Sequence, residues 1–181
     1  MKNSLQRKKQ GGWLDISLGT VFTVVGIMSA AALFGAAALY SSADSSVVET
    51  KSRSIVSDVK SVYRNSTDLS ALTNTTAISA KIIPKDWITG TSTAQNNNGG
   101  IVTLVSEDVV GTDDGFSLQH TLFDEDECLN YVNGMFADSY QIDVDGTTVK
   151  TAGGSTINAT ALSTSCGDSG SNTVKTVHTK S

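Results

Sequence analysis

At 181 residues the chain has room for one folded domain plus an appendage. It carries 13 Lys and Arg against 18 Asp and Glu, and four of the bases (Lys2, Arg7, Lys8 and Lys9) sit in the first nine positions. Beyond Gly12, thirteen less four leaves nine bases facing eighteen acids, a formal balance of -9 that excludes a basic patch broad enough to hold nucleic acid.

The basic stretch "QRKKQ" stops at Gly11 and Gly12, and Trp13 opens a mostly apolar run, "LDISLGTVFTVVGIMSAAALFGAAALY", from Leu14 to Tyr40. Its one charge is Asp15. About 25 helical residues reach roughly 37 Å, enough to cross a bilayer core with some tilt. The bases ahead of the run hold the N-terminus on the cytoplasmic side, so everything after Tyr40 lies across the membrane. Three readings compete. A cleaved secretory signal has a shorter apolar core, although "AAALYSSA" imitates its cleavage site. An ordinary signal anchor keeps the whole segment. A cut between Gly12 and Trp13 removes the basic leader and keeps the apolar helix, and it accounts for glycines at a helix start, where each costs about 1 kcal/mol.

After Tyr40 the chain turns polar but retains Val48, Ile55, Val59 and Val62, whose spacings of seven, four and three mark one helix face. No proline precedes Pro84, so the pattern predicts a single helix from about 14 to 64, roughly 75 Å long. Gly19, Gly26 and Gly35 are weak points in its first half, or sites of close helix packing in the membrane. Residues 65–100 read as a connecting region, with a short helix around Leu69–Leu72, a turn at Pro84 in "IIPKDWI" and a loop at "GTSTAQNNNGG". Strand patterns follow in "GIVTLVSE", "GFSLQHTLF", "SYQIDVDGTTVKTA" and "NTVKTVHT", the third holding an Asp145-Gly146 hairpin signal. Between the second and third, "DEDECLNYVNGMF" reads as a helix with acids crowding its first turn and Leu129, Val132 and Phe136 on its apolar face. The fold class is α+β: a long N-terminal helix, hydrophobic in its first half, packed on a C-terminal antiparallel β-sheet head domain.

The residues around Gly12 and Trp13 resemble a type IV prepilin, which has a short basic leader ending in glycine, a prepilin peptidase site and a hydrophobic N-terminal helix. Trp13 as the first mature residue is similar to the type IVb branch, in particular the PilS-like major pilins of plasmid-encoded thin pili. Type IVa pilins usually begin with phenylalanine. "IIPKDWI", "NNNGGIVTLV", "FSLQHTLFDEDECLNYV", "YQIDVDG" and "CGDSGSNTVKTV" come in the order seen in PilS-like domains. The resemblance implies residues 1–12 as a cleaved leader, 13–64 as the long helix with 13–40 in the membrane and later the filament core, and 65–181 as the globular head. It further implies cleavage after Gly12, N-methylation of Trp13, passage through the inner membrane as prepilin, and self-association into an extracellular helical pilus. A prepilin peptidase, an assembly ATPase with its platform, and a secretin would be the partners, with neither a cofactor nor nucleic acid.

Two departures stand out. The family usually carries glutamate at the fifth mature position, where this chain has Ser17. Asp15, at the third, either takes over the glutamate's pairing with a neighbouring subunit's amino terminus or only favours its own helix N-terminus. The family often has a proline in the first half of the helix, and this chain has none there. The missing glutamate also suits a minor pilin or pseudopilin that initiates or tips a filament, while a monomeric membrane-anchored binding module needs no cut at Gly12.

Cys128 and Cys166, an even pair on the extracytoplasmic side, suggest a disulfide, with free thiols or a metal pair as the alternative. In the pilin family such a C-terminal disulfide bounds the exposed variable region, and here it would pin the Gly/Ser/Thr-rich segment 145–170 to the helix at 124–137. Other chemistry is thin. "DVDG" opens like a calcium loop but lacks the downstream glutamate, and "FDEDE" suits a solvated helix start. His120 and His178 have no ligand-like spacing to the cysteines, so no metal site is assigned. Asn65, Asn74 and Asn158 open glycosylation triplets of the kind polar sequences generate by chance. No nucleophile elbow or phosphate loop is present, so the expected class is structural rather than enzymatic.

Overall fold

The computed structural model describes residues 46–167 and 170–180. The leader, the Gly12–Trp13 junction, Asp15, Ser17 and the apolar run to Tyr40 lie outside the described residues. No helix among the described residues is long and apolar enough to cross a membrane.

Residues 46–62 are helical and form the described part of helix α1. Val48, Ile55 and Val59 are buried as their spacing requires, with Ser52 and Val56 beside them. Val62 is not part of this face. It is 55 % exposed, because the helix ends there and the chain turns away at Tyr63. Leu69 and Leu72 are buried, yet no helix forms around them. The Asp68 carboxylate accepts from the Ser70 amide and hydroxyl, 3.1 and 2.6 Å, and holds a turn instead. The helix comes later, as α2 at Asn74–Ser79, started by a capping box between Thr73 and Thr76. Pro84 does open a turn, a short 3₁₀ helix at Lys85–Trp87 that seats Trp87 in the core.

Six strands make one sheet in the order β1-β2-β3-β6-β4-β5: β1 at Ala94–Gln95, β2 at Ile101–Glu107, β3 at Gly115–Phe123, β4 at Gln141–Val144, β5 at Thr147–Lys150 and β6 at Asn172–Thr179. Every pairing is antiparallel. The two-residue β1 lies inside the stretch expected to be loop, pairing Ala94 with Val102. Asp145 and Gly146 both take positive φ, 48° and 79°, the geometry that a two-residue hairpin between β4 and β5 demands.

Helix α3 runs Glu125–Met135 behind an Asp124 N-cap, whose carboxylate accepts from the Glu127 amide while Glu127 reaches back to Asp124. Its packed face is Cys128, Tyr131, Val132 and Met135, one step round from the face read in the sequence, so Leu129 and Phe136 sit half-buried at its margin. Helix α4, Ala159–Gly167, was not legible in its Ser/Thr-rich sequence. The Asn158 carboxamide accepts from the Ala161 amide at its start, and Leu162 and Cys166 point inward. One buried cluster joins α1, the inner sheet residues Leu104, Phe116, Leu118 and Val174, and both later helices.

Candidate functional site

Cys128 in the first turn of α3 and Cys166 near the end of α4 form a disulfide across 38 residues of chain, with Cα atoms 5.7 Å apart. Closing such a loop is worth roughly 3–4 kcal/mol in the chain-entropy model, an upper value. The enclosed segment holds the rest of α3, the β4-β5 hairpin and α4. Asn172, fully buried at the start of β6, reinforces the tie: its Nδ2 donates to the Phe123 and Cys166 carbonyls, each at 3.1 Å. On the other side of α3, Glu127 Oε2 accepts from Asn98 at 2.8 Å, anchoring the "NNNGG" turn. Within that turn, Asn96 Oδ1 accepts from the Asn98 and Gly100 amides. A Cβ on Gly100 would lie 1.8 Å from the Thr121 carbonyl oxygen, so only glycine fits there.

The two histidines are core residues. His120 is fully buried, sharing a 3.0 Å hydrogen bond between its Nε2 and Ser52 Oγ, with Trp87, Phe123 and Tyr131 packed around the ring. Its Nδ1 meets no partner, and burial holds the imidazole down at about 3, so it is neutral. Ser52 and His120 thus resemble part of a hydrolytic pair in contact only. Neither is open to a substrate, and no carboxylate orients the ring. His178 is held down at about 4, chiefly by burial, and its Nδ1–H donates to the Asp138 carbonyl at 2.8 Å. No group of His, Cys, Asp and Glu among the described residues is arranged to hold a metal ion.

The sequence missed a convergence of cations. Arg53 and Lys60 on one face of α1, Arg64 just beyond it, and Lys150 at the end of β5 line a groove of about 830 Å³ floored by residues 137–140. A second groove of about 770 Å³ adjoins it through Lys60, Arg64 and Thr179 and adds Lys180. Arg53 bonds Asp138 at 2.9 Å, Lys150 donates to the Phe136 and Ser139 carbonyls, and Lys180 donates to the Ser66 carbonyl. Arg53, Lys60 and Arg64 lie seven and four residues apart, a helical spacing that marked this face. Lys150 and Lys180 arrive through the sheet and left no such mark.

The fold is that of a pilin head: a helix laid on an antiparallel sheet, with a disulfide closing its C-terminal region. Residues 42–179 match the profile of the family described as PilS N terminal, and the chain belongs to that family. Comparison with curated proteins finds no match. Among solved structures it is similar to the type IVb pilin of Salmonella typhi, with a TM-score of 0.58 and 18 % identity over 74 % of this chain and 99 % of that one. It is also similar to TcpA, a type IV pilin of the Vibrio cholerae El Tor biotype, with a TM-score of 0.54 and 12 % identity over 75 % of this chain and 99 % of that one. Family and fold are those of a type IV pilin of the IVb kind, a structural subunit of an extracellular pilus and not an enzyme.

Proposed function

We propose that this chain is a pilin that polymerises into a type IVb-like filament for cell–cell contact in conjugation or adhesion. The observation that carries the reading is the family match across residues 42–179, joined to an N-terminal sequence with a basic leader, Gly12-Trp13 and a long apolar run. Prepilin peptidase cuts after Gly12, leaving Trp13 as a methylated N-terminus. Residues 13–40 anchor the subunit in the inner membrane and then move into the filament core. There, lipid contacts are exchanged for protein contacts, and the small residues Gly19, Gly26, Ala30 and Gly35 carry much of the gain through close packing. An assembly ATPase, its platform and a secretin drive the filament outward.

Mass analysis of the N-terminus of protein sheared from the cell surface tests this reading. A mature chain starting at methylated Trp13 is expected, and a Gly12→Val precursor should accumulate uncut, because a side chain before the cut blocks the site. Normal processing of Gly12→Val rejects the prepilin reading. The Ser17 position favours a second reading, a minor pilin present in few copies, since a tip subunit has no need of the repeated glutamate pairing. Subunit counts per filament by quantitative mass spectrometry separate the two.

A further inference from the structure

We propose that the basic groove of one subunit receives the acidic first turn of α3, Glu125 and Asp126, from a second copy of this chain. The inference rests on the filament reading above and names the contact between heads that it requires.

Five of the nine bases beyond Gly12, namely Arg53, Lys60, Arg64, Lys150 and Lys180, line the two adjoining grooves, accompanied by two of the fifteen acids among the described residues, Asp114 and Asp138. The rest of the described residues carry four bases and thirteen acids. Subunits this acidic repel one another when packed side by side, and the groove is the place where a neighbour's carboxylates are attracted. A nucleic acid would bring a long polyanion into the field of the surrounding acids. Two carboxylates on a narrow helix end reach the groove within a Debye length of about 8 Å at physiological salt.

The partners of the carboxylates identify which acids are free. Fifteen Asp and Glu lie among the described residues, and thirteen of them accept a hydrogen bond or ion pair within their own chain. Asp143 takes Gln141 and Thr148, Asp145 takes the Thr173 amide, and Asp108 takes the Asp113 amide. Glu125 and Asp126 are the two left over, both exposed. Their simplest role is to favour the helix N-terminus, which leaves their outward oxygens unoccupied. Lys60 and Arg64 likewise make no ion pair among the described residues, as do Lys81 and Lys85 outside the grooves.

Placement completes the argument. The groove floor, residues 137–140, follows directly on the C-terminal end of α3, whereas Glu125 and Asp126 begin it. Eleven helical residues separate the two surfaces by roughly 16 Å. Patches that are complementary but lie at opposite ends of one element cannot satisfy each other within a chain. Between chains they make a head-to-tail contact, the kind that builds an open helical array when the rotation between copies does not close a ring.

The test uses the full-length chain in cells that assemble its filaments. Sheared filaments are treated with a carbodiimide, which condenses a carboxylate with an amine in direct contact. Peptide mapping is expected to find Lys60 joined to Glu125 or Asp126, a link that must run between copies. Lys60→Arg should abolish the link, because a guanidinium is not condensed by the carbodiimide. Reversing the groove with Lys60→Glu and Arg64→Glu, or the helix end with Glu125→Lys and Asp126→Lys, should each lower the yield at least tenfold. The cleaved, disulfide-bonded subunit should remain at its normal level. Combining all four should bring the yield back to within about threefold of the parent. Filaments without the link, undiminished yield on reversing the groove, or a folded fourfold variant that stays at the level of the doubles each overturn the proposal. These outcomes leave the filament reading standing, whereas a correctly cut parent chain that makes no filaments overturns both.

Discussion

Acidification should unfold the head through its two buried histidines. The perturbation is a drop from pH 7.5 to 4.5. Burial holds His120 at about 3 and His178 at about 4, while in the unfolded chain both titrate near the ordinary 6.5. The native state therefore refuses protons that the unfolded state accepts. This contribution to stability is complete above pH 6.5 and is lost as pH falls toward the folded values. Two pH units below 6.5, each histidine costs about 2.7 kcal/mol and the pair about 5 kcal/mol. That is comparable with the whole stability of a small domain, about 5–15 kcal/mol. The window stops at pH 4.5, above the range in which Asp68, Asp86 and Asp114, held low by hydrogen bonds from Ser70, Lys51 and the Val109 amide, begin to protonate. The assay is urea unfolding of a head beginning after Tyr40, followed by the fluorescence of Trp87, whose ring lies 5.5 Å from His120. With a slope of about 2 kcal/mol per molar urea, the midpoint should fall by roughly 2–3 M. His120→Asn and His178→Asn should each remove about half of the pH dependence, whatever they do to stability at pH 7.5. A parent midpoint that is the same at both pH values would refute the reasoning, because it would mean that the rings take up protons in the folded core at no cost.

Cys166→Ser should destabilise the head by about 3–4 kcal/mol at most, read as a lower urea midpoint, and reduce surface filaments. Asn172→Ala leaves the buried Phe123 and Cys166 carbonyls without their donor and should cost about 1–3 kcal/mol in the same assay. On the proposed pairing with a neighbour's Trp13 amine, Asp15→Ala should leave processing and membrane insertion largely intact but sharply reduce filaments counted by electron microscopy, since an uncompensated charge in a dry core costs several kcal/mol. Ser17→Ala should change little, and normal filament numbers with Asp15→Ala would reduce the aspartate to a helix-end residue.

What could be read from sequence followed from composition and turn signals over a full element length. "GFSLQHTLF" and "NTVKTVHT" read as strands through their aromatic and β-branched residues, and Asp145-Gly146 is a hairpin because few other residues tolerate two successive positive φ values. The acid-rich start of α3 announced its cap, but the face it buries could not be settled by apolarity alone. Tyr131 goes inward to stack on Phe123 and Cys128 to meet Cys166, displacing Leu129 and Phe136 to the edge. α4 escaped notice because two inward residues, Leu162 and Cys166, are too few to stand out among serines and threonines that favour turns on their own. The basic groove was half visible in the spacing of Arg53, Lys60 and Arg64. Its other cations, Lys150 at the end of β5 and Lys180 just past β6, lie more than eighty residues away, and the net acidity of the chain concealed them. Gly12, Trp13 and Asp15 lie outside the described residues, and their roles rest on resemblance.

The position of β6 governs when this head can exist at all. The last strand in the chain lies in the middle of the sheet, bonded to β3 on one side and β4 on the other. Until residues 172–179 are available, the chain holds two half-sheets with raw edges and no seam between them. A head that lacks its last strand is therefore an open species with two unpaired strand edges. A stop codon a dozen residues early would remove the keystone rather than trim a tail. The same arrangement denies a chain without residues 172–179 the finished six-stranded sheet, because only the final strand joins its two halves.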